Sequence, residues 1–214
     1  MDSREMLQRV DHTILKATAT KEEVLAICKE AYENSMASAC IPPSFVKAAR
    51  EAYADLAVCT VIGFPLGYSA SSAKVAEIAE AERSGATEFD VVVNLGHVKD
   101  KRFSEITEEI KACKEACAGK VLKVIVETCY LTEEEKVELC KCVTEGGADY
   151  IKTSTGFGTG GAELKDIELF KANIGPNVKI KASGGIRTKE QIEAFIGAGC
   201  DRIGASSALK ALLG

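Results

Sequence analysis

The chain is poor in the residues that hold a metal by spacing. It has only two histidines, His12 and His97, and none of its nine cysteines sits in a C-x-x-C pair. A structural zinc site is therefore not expected. No apolar run reaches membrane-spanning length. The N-terminal stretch MDSREMLQRVDHTILK is polar and charged, with no signal-peptide core. An excess of basic charge is also missing. Against 32 Asp and Glu there are 27 Lys and Arg, a net charge of −5. A general surface for nucleic acid or an anionic membrane is not expected, which leaves room for a local basic pocket. No linker or low-complexity stretch divides the chain.

What remains is an ordinary globular composition, 46% hydrophobic and 28% charged over 214 residues. At that length most apolar surface can be buried without disulfide staples, and one domain spanning 1–214 is expected. The odd number of cysteines fits a reduced, cytoplasmic protein whose thiols are buried. Cys113 and Cys117 stand four apart on a helical pattern and should share a buried face.

Short apolar strand patterns alternate with amphipathic helix patterns. The strands read VDHTIL (10–15), MASACI (36–41), AVCTVIGF (57–64), EFDVVVN (88–94), LKVIVET (122–128), DYIKTS (149–154), VKIKAS (178–183) and DRIGAS (201–206). Many are nearly continuous in hydrophobicity, as buried parallel strands are. Thr20 with Glu23, Thr132 with Glu135, and Thr188 with Gln191 have capping-box spacing. Val24, Ile27, Cys28 and Ala31 form one helical stripe, and Ile106, Ile110, Cys113 and Cys117 another. The pattern predicts an α/β fold, a closed (β/α)8 TIM barrel with a short N-terminal helix; an open doubly wound sheet is the alternative.

A weak repeat places the chemistry. SGATEFD, GGADYIK and AGCDRIG each carry a glycine followed five residues later by a residue deep in a strand. Those residues are Asp90, Lys152 and Gly204; Cys40 takes the matching place on the second strand. Alternate strands of a barrel contribute one layer of side chains, so these four should share a level near the C-terminal mouth. Lys181 follows Lys152 by 29 residues, about one βα unit of ~30 residues, which makes their strands neighbours. A lone lysine at a strand end is usually a solvated charge. Two that point into one restricted site are different, because like charge and desolvation favour a neutral, nucleophilic amine. Asp90 is then placed to move protons.

Gly156, Gly158 and Gly161 match G-x-G-x-x-G, but the next strand offers Lys179 and Lys181 where a dinucleotide site needs an acid. NAD is rejected, and no cofactor is expected. Phosphate fits better. SGGIR (183–187) and GASS (204–207) follow the seventh and eighth strands, where barrels commonly bind phosphate. Gly184, Gly185, Gly204 and Ser206 can offer backbone N–H groups, Ser207 a hydroxyl and Arg187 a charge, with Gly156 closing the pocket. Read as structure alone, these glycines would merely allow sharp turns.

DYIKTSTGFG, IKASGGIRT, EFDVVVNLG and IGASS closely resemble the motifs of deoxyribose-phosphate aldolases. VDHTILK and ASACIPPSFV resemble that family's first two strands, and the resemblance runs from about Val10 to Leu209. It implies a metal-free class I aldolase that reversibly cleaves 2-deoxy-D-ribose 5-phosphate to D-glyceraldehyde 3-phosphate and acetaldehyde. Lys152 matches the Schiff-base lysine, Asp90 and Lys181 the acid–base pair, and Asp11 the acid at the substrate-hydroxyl end. Thr13, Cys40 and Thr155 complete the expected substrate-binding set. Small phosphorylated sugars and aldehydes are the expected partners, and a homo-oligomer, dimer or tetramer, the expected assembly. Some members carry a C-terminal tail ending in tyrosine; here no tyrosine follows Tyr150. Another class I aldolase or transaldolase, and a non-catalytic phosphosugar binder, remain as alternatives.

Overall fold

The computed structural model describes all residues, 1–214. Eight parallel strands close into one barrel in chain order, with the last paired to the first. They are β1 (Val10–Thr13), β2 (Ser38–Ile41), β3 (Val58–Ile62), β4 (Glu88–Val92), β5 (Val121–Ile125), β6 (Tyr150–Lys152), β7 (Lys179–Ser183) and β8 (Arg202–Ala205). The expected TIM barrel is present, and closure removes the open-sheet alternative. Ten helices accompany the strands: α1 (Ser3–Leu7), α2 (Lys21–Glu33), α3 (Val46–Ala52), α4 (Ser71–Arg83), α5 (Leu95–Lys99), α6 (Phe103–Ala116), α7 (Glu133–Glu145), α8 (Leu164–Asn173), α9 (Lys189–Ala198) and α10 (Ala208–Leu213). α1 is the short N-terminal helix, and it packs against α10. No helix is long and apolar enough to cross a membrane.

The three expected capping boxes form at α2, α7 and α9, and Asp2 with Glu5 makes a fourth at α1. Each satisfies two backbone N–H groups that a helix start leaves unpaired. The α6 stripe is wholly buried. In α2, Val24, Cys28 and Ala31 are buried, while Ile27 is half-buried at the mouth of a cavity. All nine cysteines are free; eight are buried and Cys129 is half-buried. Burial pushes the thiols of Cys113 and Cys117 up to about 12.

The predicted strands overrun the observed ones at their ends. β6 is the clearest case, because Thr153 and Ser154 leave it. The Thr153 hydroxyl donates to the Ser183 carbonyl at 3.1 Å, and the Ser183 hydroxyl donates to the Ser154 carbonyl at 2.6 Å, joining the two strand ends. A second difference concerns hydrophobicity. Apolar side chains such as Val10, Phe89, Leu122, Val124, Ile151 and Ile203 belong to the core between barrel and helices. Their neighbours in the strands alternate inward, and that face is charged. A buried parallel strand is apolar on both faces only when the barrel interior is apolar; this one is not.

Candidate active site

Inside the barrel seven charged side chains meet: Asp11, Glu88, Asp90, Lys123, Lys152, Lys181 and Arg202. Lys152 Nζ and Lys181 Nζ each lie 2.7 Å from the same oxygen, Asp90 Oδ2. Lys123 Nζ lies 2.9 Å from Asp90 Oδ1 and 2.6 Å from Glu88. Below them Lys181 reaches Asp11 at 2.5 Å, and Arg202 joins Asp11 at 2.5 Å to Glu88 at 3.2 Å. The Ser38 hydroxyl donates to Asp11 at 2.7 Å. Register explains the convergence: Lys152 and Lys181 are direct partners on β6 and β7, and Asp90 partners Lys123 across β4 and β5.

The expected repulsion between Lys152 and Lys181 is therefore offset in part by a shared carboxylate. For Lys181 the balance runs opposite to the simple expectation. Burial disfavours its charge, but Asp11 and Asp90 outweigh burial and hold the ammonium above the usual lysine range. Lys123 is held up likewise by Asp90, Asp11 and Glu88. In return, burial opposes ionisation of Asp90, yet Lys123, Lys152 and Lys181 keep it well below the carboxylate range. Asp11 is lowered against burial by Lys181, Lys123 and Arg202.

Four cations face three carboxylates in this cluster. Lys152 touches one carboxylate, Lys181 and Arg202 two each, and Lys123 three. Lys152 is thus the cation of the cluster held by the fewest carboxylates.

A cavity of about 590 Å³ opens at the C-terminal end of the barrel. Of the charged cluster, Lys152 alone lines it. Thr13, Thr155, Gly156, Gly184, Gly185, Arg187, Gly204 and Ser206 also stand on its walls. Asp90 and Lys181 lie directly behind Lys152. Three expected residues are elsewhere. Asp11 is fully buried beneath Lys181, as a counter-ion rather than a wall. Cys40 is fully buried among Cys59, Val61 and Leu15, and the adjoining Cys59 thiol lowers its pKa against burial. Ser207 lines a neighbouring cavity between α2 and α10 with His12 and Glu30. Ser206 is exposed and borders both cavities, whereas Ser207 borders only the second.

Of the glycines after Lys152, Gly156 is required by its φ of +85°, while Gly158, Gly160 and Gly161 serve packing. A Cβ on Gly161 would lie 2.2 Å from the Gly184 carbonyl oxygen, so this glycine lets the β6 and β7 loops touch. Lys179 is exposed at the other end of β7, over the Tyr150 ring at 5.8 Å. Two groups of side chains have metal-like spacing, Cys40–Cys59–Asp90 and Asp11–Cys59–Glu88. In both, the carboxylates are already paired with lysines or Arg202. Lys123, Glu88 and Arg202 were not singled out from sequence. Their only sequence signal is a charge at an alternating position within an apolar strand.

A closed parallel barrel, a buried lysine–aspartate cluster at its C-terminal mouth and glycine-rich loops after β7 and β8 define the class of (β/α)8-barrel aldolases. The family model described as DeoC/LacD family aldolase matches residues 5–210, and the chain belongs to that family. It is 55% identical to a deoxyribose-phosphate aldolase of Clostridium botulinum (strain Alaska E43 / Type E3), over 100% of this chain and 97% of the relative. Among solved structures, "QR15, an Aldolase" superposes with a TM-score of 0.92 at 40% identity, covering 96% of this chain and 93% of that one. The deoxyribose phosphate aldolase from Aeropyrum pernix, described as a unique tetramer, gives 0.88 at 32% identity, covering 99% and 91%.

Proposed function

We propose that the protein reversibly cleaves 2-deoxy-D-ribose 5-phosphate to D-glyceraldehyde 3-phosphate and acetaldehyde through a Schiff base on Lys152. The carrying observation is that Lys152 is the one member of the buried charged cluster exposed to the cavity, 2.7 Å from Asp90.

The neutral amine of Lys152 adds to the aldehyde carbon, and the carbinolamine loses water to give an iminium. The hydroxyl proton next to the breaking bond leaves as that C–C bond opens. The bonding electrons pass into the iminium, giving an enamine and free glyceraldehyde phosphate. Protonation of the enamine carbon and hydrolysis of the resulting iminium release acetaldehyde and restore the amine. Asp90, with Lys181 and a water, moves these protons. The charged pair Lys181–Asp11 holds Lys181 upright behind the site. Thr13 and Thr155 contact the sugar. The loops with Gly156, Gly184, Gly185, Gly204 and Ser206 receive the phosphate, with Ser207 supporting their outer side. Arg187 adds charge at the rim.

Turnover of 2-deoxyribose 5-phosphate, read by reduction of the triose phosphate formed, tests this reading. Absence of product, with another phosphorylated ketose or aldose cleaved instead, would replace the substrate but keep the chemistry. Arg187→Ala should raise KM for the phosphate ester by about tenfold and leave unphosphorylated 2-deoxyribose unaffected. We also propose a cytoplasmic homo-oligomer, supported by the nine free thiols and by the tetramer of the Aeropyrum pernix relative. Sedimentation velocity reads the assembly.

A further inference from the structure

Four non-glycine residues have a positive φ: Ser35, Lys101, Ala118 and Glu127. The first three are on exposed turns, whereas Glu127 is 3% exposed at the catalytic end of β5. A residue with a Cβ is sterically disfavoured in this conformation, and it stays there in a buried segment only where its surroundings fix it. Here the carboxylate does so. Glu127 Oε1 accepts the Thr155 backbone N–H at 3.1 Å, and Oε2 accepts the Thr155 hydroxyl in a short hydrogen bond. Glu127 takes part in no ion pair, so these hydrogen bonds are what compensates its burial.

Thr155 is three residues beyond Lys152 and lines the cavity; Glu127 does not. A threonine hydroxyl has one proton and two acceptor positions. The proton goes to Glu127, and one acceptor position takes the Phe157 backbone N–H at 3.0 Å. Only an acceptor position is left for a ligand. Phe157 in turn meets Phe64 edge-on at 5.3 Å, so the same loop reaches across the mouth to the end of β3.

We propose, resting on the aldolase reading above, that Glu127 is a positioning residue for substrate binding. It acts through Thr155, fixing the β6–α8 loop and holding the Thr155 hydroxyl as an acceptor toward a hydroxyl of the substrate. Glu127→Gln is nearly isosteric but turns an amide N–H toward Thr155 Oγ1, which redirects the threonine proton to the cavity.

The test is steady-state kinetics with 2-deoxyribose 5-phosphate, paired with borohydride trapping of acetaldehyde on the same proteins. Glu127→Gln should raise KM about tenfold with kcat within about twofold, because binding and not chemistry is altered. Thr155→Val should raise KM similarly, and the double variant should match Thr155→Val within about twofold, since one residue acts through the other. Glu127→Gly, which relieves the backbone but removes the carboxylate, should repeat the KM effect and covers the case in which the glutamine variant does not fold. Acetaldehyde has no hydroxyl for Thr155, so trapping at Lys152 should be retained in both Glu127 variants. An unchanged KM in both Glu127 variants, or additive effects in the double variant, overturns the inference while wild-type trapping leaves the aldolase reading intact. Absence of trapping in the wild type removes the aldolase reading, and the inference with it.

Discussion

Lys181→Leu separates two roles of one side chain. Lys152 Nζ and Lys181 Nζ are each 2.7 Å from Asp90 Oδ2, so they are at most about 5.4 Å apart. At an effective dielectric of about 20 two like charges at that distance repel by roughly 3 kcal/mol. Removing Lys181 deletes that repulsion and frees Asp90 Oδ2 for Lys152 alone. Both changes favour the ammonium over the nucleophile. The acidic limb of the kcat/KM profile should therefore move to higher pH. The plateau should also fall, because a proton carrier is lost. The variant should fold: Asp11 keeps Arg202 and Ser38, and Asp90 keeps Lys123. The assay is the pH dependence of triose phosphate release, with thermal unfolding as a control. A lowered plateau with an unmoved limb would refute the like-charge reasoning, and a limb displaced to lower pH would reverse it.

Two further outcomes follow from the same geometry. Asp11 and Asp90 both ionise below the ordinary aspartate value of 3.8 in the fold. They contribute stability above that value and lose it as pH falls below it. Thermal midpoints should drop between pH 5 and pH 3 by less in Asp11→Asn than in the wild type; equal slopes would count against the assignment. Gly204→Ala should place a Cβ 2.9 Å from Ser183 Cβ and 3.2 Å from Lys181 Cε. Overpacking there costs about 1–3 kcal/mol, and because Lys181 is pinned by two carboxylates, kcat should fall as well. Wild-type stability and kcat in that variant would show that Lys181 tolerates displacement.

Much of the fold was legible because its signals are local. Capping boxes, strand patterns and the glycine–strand repeat each lie within a few residues, and all eight strands follow from them. Lys152 and Lys181 were legible because one βα unit separates neighbouring strands, and Asp90 because the glycine–strand repeat puts it on the alternate strand in the same layer as Lys152. Lys123, Glu88 and Arg202 were hidden because their partners are distant in sequence: Arg202 meets Asp11 across 191 positions and Glu88 across 114. Only barrel closure brings them together. Asp11 shows the converse. Only the family resemblance of VDHTILK marked it, and whether it faces the cavity or the ion cluster beneath depends on tilt and register that its own segment does not specify. Glu127 gave no local sign, since a left-handed glutamate is selected by its contacts with Thr155 rather than by propensity.

The central claim is that Lys152 is the nucleophile. Incubating the protein with acetaldehyde and borohydride, then mapping peptides by mass spectrometry, tests it most directly. A reduced two-carbon adduct on Lys152, absent from Lys152→Ala, is the predicted result. An adduct that persists in Lys152→Ala, or one found on Lys181 or Lys123 instead, would contradict it.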